Sequence, residues 1–263
     1  MPEHHIKPLK KFGQNYLQDR NILQKIFNLI DPQPEDNLIE IGPGEGALTA
    51  FLYERVPGLT LVEIDTRVID QLKADYPEAH LINQDFLKTD LAPFISRGKM
   101  RVVGNIPYNI TSPIFFRLME NRDVVRDATF LIQFEVAQRI IAKPRTKEYG
   151  ILSVLLQAFA TPTIAFKVSP NVFFPKPKVT SAVINLVFKP RLENDPDDRL
   201  YIRVVKAAFS KRRKTMRNAF KESDLGSCDQ SDSPIDLGRR AEELTVEEFK
   251  TLARFFAERL RHS

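Results

Sequence analysis

The feature that most constrains this chain is a glycine-rich loop between a strand-like and a helix-like segment. Leu38–Ile41 is rich in branched aliphatic residues, the loop carries Gly42, Gly44 and Gly46, and a helix-like pattern begins at Leu48. Glycines let the backbone adopt positive φ and let a ligand approach main-chain N–H groups without meeting a Cβ. The pattern predicts a strand, a tight loop and a helix start that together bind a nucleotide.

The spacing of these glycines indicates which nucleotide the loop prefers. A dinucleotide fingerprint reads G-x-G-x-x-G, whereas this loop reads G-P-G-E-G. Glu45 inside the loop would repel a pyrophosphate, but it suits a ligand with a positive sulfonium and no phosphate. S-adenosylmethionine is such a ligand and is the predicted cofactor. The alternative is a glycine turn that only joins a strand to a helix. The choice between these two interpretations therefore depends on the downstream residues.

Length and composition limit the class of protein. A chain of 263 residues accommodates a main domain and a smaller second one. Its 43% hydrophobic and 28% charged residues are typical of soluble proteins, and we expect neither a signal peptide nor a membrane span. The single cysteine and four histidines leave little for a disulfide framework or a metal site. We expect a cytoplasmic protein, and its net charge of +5 favours a polyanionic partner.

A second strand over Leu59–Asp65 follows the loop and its helix, and it completes a β-α-β unit. Glu63 lies roughly 20 residues beyond the loop, where an acidic residue is needed to accept hydrogen bonds from both ribose hydroxyls. The alternative for Glu63 is a solvated acid at a strand end. Together with the glycine loop, its position favours the ribose role.

A third strand over Ala79–Asn83 leads into an acid and an aromatic ring. In a parallel sheet its end opens on the same crevice as the first two strands. Asp85 is therefore predicted to accept a hydrogen bond from the adenine amine, while Phe86 or Ile64 packs on the adenine ring. A carboxylate that caps a local turn is an alternative interpretation of Asp85.

The fourth strand, Met100–Gly104, delivers the sequence Asn-Ile-Pro-Tyr. An exocyclic amine has its lone pair delocalised into the ring, so it must be held rehybridised and aimed at the methyl donor. The side-chain oxygen of Asn105 and a main-chain carbonyl beside Pro107 are predicted to accept the two amine hydrogens, and Tyr108 to stack on an extruded base. No general base is needed before the attack, because the proton can leave afterwards. The alternative is a turn with proline at its corner.

The rest of the chain predicts more sheet and then a change of architecture. A fifth strand follows, and a strand, a proline-rich loop and another strand finish the sheet. Phe173 and Phe174 lie on that loop, where they are either hydrophobic plugs or supply, through Phe173, a second wall of the base pocket. Pro, Asp, Asn and Glu dominate around residues 190–198, after which only helical patterns remain. We predict an α/β domain with a basic N-terminal arm over residues 1–190, and a helical domain over residues 191–263.

Eight basic residues and no acidic residue lie between Tyr201 and Lys221. This cluster straddles a predicted helix junction at Ser210, as expected of a surface that contacts phosphates. A solvated helix face is the alternative. The residues predicted to bind RNA are Lys211, Arg212, Arg213, Lys214 and Arg217.

Five motifs occur in one order along the chain: Gly13–Leu17, Glu40–Gly46, Asn105–Tyr108, Phe174–Val179 and Lys211–Thr215. With them the chain resembles the ribosomal RNA adenine dimethyltransferase family over nearly its whole length. Those enzymes use S-adenosylmethionine to convert two adjacent adenosines near the 3′ end of small-subunit ribosomal RNA to N6,N6-dimethyladenosine during subunit maturation.

The resemblance implies a Rossmann-like class I methyltransferase domain with a small all-helical C-terminal domain. It also implies a partner, the immature small ribosomal subunit, and we expect a monomer that binds no membrane and no metal. Motif matching places the cofactor against six residues, of which the first two rest on the resemblance alone: Asn15, Leu17, Gly42, Glu63, Asp85 and Asn105.

Two other functions fit parts of the sequence. The erythromycin-resistance methyltransferases share the glycine loop and the Asn-Ile-Pro-Tyr stretch but act on large-subunit RNA, and the basic Lys211–Asn218 segment distinguishes the chain from them. An RNA-binding assembly factor that kept the fold and lost methyl transfer is the non-enzymatic alternative. The intact Asn105 and Tyr108 count against it.

Overall fold

The computed structural model describes residues 13–211 and 214–261, so the basic N-terminal arm and the predicted RNA contacts Arg212 and Arg213 lie outside the described residues. The chain forms two compact units. The sheet unit comprises the described residues up to 137 together with 163–188, and the helical unit comprises 138–162 and the described residues from 189 onward.

The strands of the described residues lie in or extend into the sheet unit. Their bounds are β1 (Tyr16–Leu17), β2 (Asn37–Ile41), β3 (Thr60–Glu63), β4 (His80–Asn83), β5 (Met100–Asn105), β6 (Val125–Gln133), β7 (Ala160–Val168), β8 (Phe173–Phe174) and β9 (Ser181–Phe188). Seven of them form one sheet in the order β4-β3-β2-β5-β6-β9-β7, and β1 pairs with β8 separately. Strands β2 to β6 are parallel to one another, whereas β9 runs antiparallel to β6.

This topology confirms the predicted Rossmann-like α/β fold. The chain first builds the sheet outward from β2 through β3 to β4, and it then returns to add β5 on the other side of β2. The reversal creates a crevice outside the carboxyl ends of β2 and β5, which is where ligands bind in open parallel sheets. Every residue of β2 is buried, as expected of a strand covered on both faces.

The α-helices alternate with the strands and then continue alone. Their bounds are α1 (Arg20–Ile30), α2 (Thr49–Tyr53), α3 (Ile69–Asp75), α4 (Ala92–Ile95), α5 (Thr111–Glu120), α6 (Phe134–Ile140), α7 (Ile151–Phe159), α8 (Asp198–Phe209), α9 (Met216–Lys221) and α10 (Val246–Arg261). None of the helices in the described part of the chain is long and apolar enough to span a lipid bilayer.

Helix α1 shows how local sequence fixes an element. The side chain of Asp19 caps its first turn by accepting hydrogen bonds from the backbone N–H groups of Asn21 (2.9 Å) and Ile22 (3.1 Å). Leu23, Ile26 and Ile30 recur at helical spacing and are buried, so one face of the helix packs into the core of the sheet unit.

The helical unit has a core of aromatic rings from α7, α8 and α10. The ring centroids of Phe159 and Tyr201 lie 5.5 Å apart, and those of Phe209 and Phe249 lie 5.9 Å apart. Helix α7, which precedes the predicted boundary at residue 190 by some thirty residues, belongs to this unit. The assignment of RNA binding to a separate domain over residues 191–263 stays a prediction.

Candidate active site

The glycine loop follows β2 and adopts the backbone conformation that its sequence predicts. Gly42, Gly44 and Gly46 all have positive φ, of 65°, 56° and 81°. A Cβ at Gly44 would lie 2.8 Å from the Tyr16 ring, and one at Gly46 would lie 2.8 Å from the Tyr76 hydroxyl. Both conformation and space therefore require glycine at positions 44 and 46.

Glu63 ends β3 beside this loop and holds its backbone. Its side chain is buried and accepts hydrogen bonds from the N–H groups of Gly44 (3.0 Å) and Asp65 (2.7 Å). Each carboxylate oxygen has a second lone pair, which matches the predicted contact with two ribose hydroxyls. Burial raises the pKa of Glu63 above its ordinary value, and the two backbone hydrogen bonds act in the opposite direction.

The predicted adenine contacts line a cavity of about 320 Å³ together with Glu63. One oxygen of Asp85 accepts a hydrogen bond from the N–H of Leu87 (2.9 Å), so this carboxylate caps a local turn as well as facing the cavity. Phe86 is buried beneath the guanidinium of Arg117, whereas Ile64 is 47% exposed. Of the two predicted apolar contacts, Ile64 is therefore the more accessible to an adenine ring.

Asn105 ends β5 and lines the same cavity, with its amide oriented by the backbone. Its Nδ2 donates a hydrogen bond to the carbonyl of Asn15 (2.8 Å), and this contact directs the amide nitrogen toward the β1 segment. This leaves Oδ1 as the atom of the Asn105 side chain that can accept a hydrogen bond. Asn15 in turn donates from its own side chain to the carbonyl of Gly13 (3.1 Å).

The residues after Asn105 refine the predicted acceptor pair. The carbonyl of Pro107 already accepts from the N–H of Ile110 (3.1 Å) and the hydroxyl of Thr111 (3.3 Å) at the start of α5. The Pro107 carbonyl is therefore already engaged at the start of α5. Tyr108 is half-buried, its hydroxyl lies 2.9 Å from that of Ser181, and burial raises its pKa.

A second cavity, of about 400 Å³, lies under the glycine loop and shares Tyr16, Gly42, Gly44 and Asn105 with the first. The hydroxyl of Tyr16 is buried and has no hydrogen-bond partner among the described residues. Buried polar atoms normally have partners, so this hydroxyl marks a place where a polar ligand fits.

Glu40 lines this second cavity, and the sequence reasoning gave it no role. It is fully enclosed and accepts a hydrogen bond from the hydroxyl of Thr49 (2.7 Å). Burial raises its pKa to about 8, and the nearby charge of Glu63 adds to the rise. The sequence signal for Glu40 is an acidic residue one position before the end of a strand. The other residues of that strand are apolar, apart from the first.

Two predicted contacts have side chains in the core. Leu17 and Phe173, which face each other across the β1–β8 pair, are each 5% exposed and belong to the apolar core of the sheet unit. Neither cavity has Phe173 among its lining residues, and its role as a wall of the base pocket stays a prediction. The neighbouring ring of Phe174 is 49% exposed.

The basic run lies in the helical unit and is partly neutralised. The ammonium of Lys211 lies 3.6 Å from the carboxylate of Glu222, and Lys214 donates a hydrogen bond to the same carboxylate. Arg217 is exposed. Within residues 13–211 and 214–261 no group of three or more His, Cys, Asp or Glu side chains is arranged to hold a metal ion.

Comparison with known proteins identifies the family. A family model for ribosomal RNA adenine dimethylases matches residues 6–258. The chain belongs to this family. It is therefore a methyltransferase of the ribosomal RNA adenine dimethylase type, as its motifs predicted.

Individual relatives agree with this assignment. The chain is 45% identical over 244 residues to ribosomal RNA small subunit methyltransferase A of Chlorobium phaeobacteroides, covering 92% of this chain and 91% of the relative. A dimethyladenosine transferase from Plasmodium falciparum shares the fold, with a TM-score of 0.76 and 24% identity over 92% of this chain and 98% of that one. The 23S rRNA methyltransferase ErmE gives a TM-score of 0.67 and 26% identity over 92% and 100%.

Proposed function

We propose that this adenine dimethylase uses S-adenosylmethionine to convert two adjacent adenosines near the 3′ end of small-subunit ribosomal RNA to N6,N6-dimethyladenosine. The observation that carries the proposal is the orientation of Asn105. Because its amide nitrogen is held by the carbonyl of Asn15, its oxygen is available to a substrate amine at the mouth of a cavity lined by Glu63 and Tyr108.

The residues of the two cavities fit S-adenosylmethionine. Glu63 would hold the ribose, Asp85 and Ile64 the adenine, and the positive-φ glycines leave main-chain room for the rest of the molecule. The unpartnered hydroxyl of Tyr16 offers one more polar contact. When bound, the cofactor supplies an electrophilic methyl group on a positive sulfonium, which an acid-lined site accommodates.

The protein side of the chemistry is positioning. The Oδ1 of Asn105 and the carbonyl of Ile106 would accept the two hydrogens of the adenine amine and turn its lone pair out of conjugation. Tyr108 would stack on the extruded base, with its hydroxyl anchored by Ser181. The proton leaves after the transfer, so no side chain with a lowered pKa is required.

Small-subunit RNA is favoured as the substrate because the curated relatives at 41–47% identity are named small subunit methyltransferases. The 23S enzyme is only 26% identical. We place the reaction in the cytoplasm, on immature small subunits, with the protein acting as a monomer.

The test is to incubate the protein and S-adenosylmethionine with unmodified small subunits, large subunits and free ribosomal RNA, and to map the methylated bases. We expect dimethylation of two adjacent adenosines near the 3′ end of the small-subunit RNA. Methylation of the large subunit would support the erythromycin-resistance type of activity instead. Binding to small subunits without any methyl transfer would support the non-catalytic assembly factor.

A further inference from the structure

The segment between β8 and β9 exposes an unusual combination of side chains. Phe174 is 49% exposed and Val179 is 40% exposed, although most large apolar side chains of this unit are buried. Lys176 and Lys178 alternate with prolines along the same segment and are exposed. Among the described residues, neither lysine has a carboxylate at ion-pair distance. We call residues 174–180 the platform segment.

Contacts at both ends fix the platform segment beside the active site. At its start, Phe174 pairs with Tyr16 across the β1–β8 ladder, directly after Asn15. Just past its end, the hydroxyl of Ser181 lies 2.9 Å from that of Tyr108. Both Tyr16 and Tyr108 line the cavity that contains Glu63 and Asn105. The segment therefore begins and ends next to residues that line this cavity.

The backbone of the platform segment is restrained as well as anchored. Pro175 and Pro177 each fix one backbone dihedral, and Pro177 is buried. A restrained backbone loses less conformational entropy when the segment binds a ligand. The exposed phenylalanine and lysines are therefore carried on a backbone of restricted freedom.

An aromatic ring next to well-spaced cations is the combination that binds single-stranded nucleic acid. Bases stack on the ring whatever their sequence, and ammonium groups contact the phosphates. Extruding the target base removes a stacking partner from each neighbouring base, so a flanking base has an unstacked face. Ribosomal RNA, the substrate of the family, presents such bases and phosphates next to the target base.

We propose that the platform segment binds the nucleotides flanking the adenosine that is being methylated. Phe174 stacks on the neighbouring base, and Lys176 and Lys178 contact the adjoining phosphates. The inference rests on the proposed function, and it adds a second RNA-binding surface to the basic run of the helical unit. It also suggests a use for adjacent target adenosines, since one base can occupy the pocket while the next rests on Phe174.

The aromatic contact is tested by measuring the affinity of full-length protein for unmodified small ribosomal subunits by filter binding, which requires no turnover. Phe174→Ala should weaken this affinity by about 5- to 150-fold, the range for removal of one stacked base. Phe174→Trp should restore most of the affinity, because indole also stacks. Val187→Ala removes a side chain that is 51% exposed on β9 of the same unit and should leave the affinity unchanged.

The lysines are tested by repeating the binding measurement across a salt series. Replacing Lys176 and Lys178 by Gln should reduce the log–log slope by about 0.7 for each phosphate of single-stranded RNA that is no longer neutralised. The matched control replaces two exposed lysines on helices of the same unit, Lys25 and Lys73, by Gln, and should keep the parent slope.

The affinity of each variant for S-adenosylmethionine should equal that of the parent. Equal affinities for small subunits in Phe174→Ala and the parent would overturn the inference, even if the parent methylates RNA normally. Conversely, a parent that binds small subunits but transfers no methyl groups would refute the proposed function and leave the binding result interpretable.

Discussion

Glu63 combines two tasks that a single carboxylate rarely has. It holds the N–H groups of Gly44 and Asp65 in the free protein, and its remaining lone pairs match two ribose hydroxyls. The same side chain therefore holds the glycine loop and is the one proposed to bind the ribose of the ligand. A substitution at this position tests both roles, and they have to be measured separately.

We expect Glu63→Ala to weaken S-adenosylmethionine binding by about 1.5–3 kcal/mol, the range for hydrogen bonds to a charged group. Isothermal titration calorimetry measures this weakening directly. Thermal unfolding of the ligand-free variant reports the separate cost of leaving two buried N–H groups without acceptors. Glu63→Gln keeps one side-chain oxygen, so it should fall between Ala and the parent in both measurements. Unchanged cofactor affinity in the alanine variant would refute the ribose assignment.

Glu40 makes the stability of the protein depend on pH. Burial raises its folded-state pKa to about 8, from an ordinary value of 4.5. Between these two values the unfolded chain loses its proton while the folded protein keeps it. The stability contributed by Glu40 is therefore fully present below about pH 4.5 and is lost as the pH rises toward 8.

Glu40→Gln removes this titration and retains an oxygen that can accept from Thr49. The free energy of unfolding of the variant, relative to the parent, should accordingly rise between pH 5 and pH 8. The gain is on the order of a few kcal/mol, since one pKa unit corresponds to about 1.36 kcal/mol. Urea denaturation at both pH values checks this. A difference between variant and parent that stays constant with pH would show that Glu40 titrates normally.

At the scale of the elements, β5 carries a residue that joins several elements at the end of the sheet opposite the active site. Arg101 is 6% exposed and pairs with Asp36 (2.6 Å) and Asp127 (3.0 Å). Its guanidinium also donates to the carbonyls of Ile30 (2.6 Å) and Asp31 (3.2 Å), where α1 ends. One side chain thus joins α1, β5 and β6 at the edge away from the active site.

Arg101→Met should destabilise the protein by about 3–5 kcal/mol, because it leaves two buried carboxylates without their main partner. Arg126→Met is the matched control, since Arg126 pairs with the same two acids but its side chain is 55% exposed. That variant should lose no more than about 1 kcal/mol. Denaturant unfolding compares the two, and equal losses would contradict the assignment of Arg101 as the central partner.

Sequence patterns predicted those strands and helices whose signals come from residues close together in the chain. The alternation that leads into Gly42, and the acids that end β3 and follow β4, are local signals, and the structure has these strands in parallel register. The Arg101 cluster was not predictable, because its acids lie 65 and 26 residues away in sequence. The placement of α7 in the helical unit depends likewise on tertiary packing with α8 and α10, which a local pattern does not report.

The hydrogen bonds that engage the carbonyl of Pro107 and the amide of Asn105 were likewise not predictable from the local sequence. The sequence predicted that both residues belong to a substrate-binding stretch, and this stays a prediction. Which of their atoms remain available follows only from the start of α5 and from the fold of the Gly13–Leu17 segment. A sequence pattern can therefore propose the residues, but it does not report which of their atoms are already hydrogen-bonded.

At the scale of the whole molecule, the positive charge that the basic run can offer to RNA is smaller than its number of basic residues indicates. No acidic residue lies among the eight basic residues between Tyr201 and Lys221. The carboxylate of the next acidic residue, Glu222, nevertheless contacts Lys211 and Lys214. The hydrogen bond from Lys214 holds the pKa of Glu222 below its ordinary value, so this carboxylate stays charged near neutral pH. Phosphates must compete with it for two of the predicted RNA-binding lysines.

Neutralising Lys211, Arg212 and Arg213 together should weaken RNA binding and flatten its salt dependence, by about 0.7–0.9 in log–log slope for each phosphate that is no longer neutralised. Glu222→Gln should have the opposite effect, with tighter binding and a steeper slope, because it releases Lys211 and Lys214. Glu193→Gln changes the net charge equally at an exposed acid of the same unit and should leave both quantities near the parent values. Cofactor affinity should be the same in all variants. Parallel salt series with equal affinities for the triple variant, Glu222→Gln and the parent would assign the basic run to a solvated helix face. The RNA contacts attributed to the basic run would then have to come from His4–Lys11 or Lys143–Lys147, beside those proposed for the platform segment.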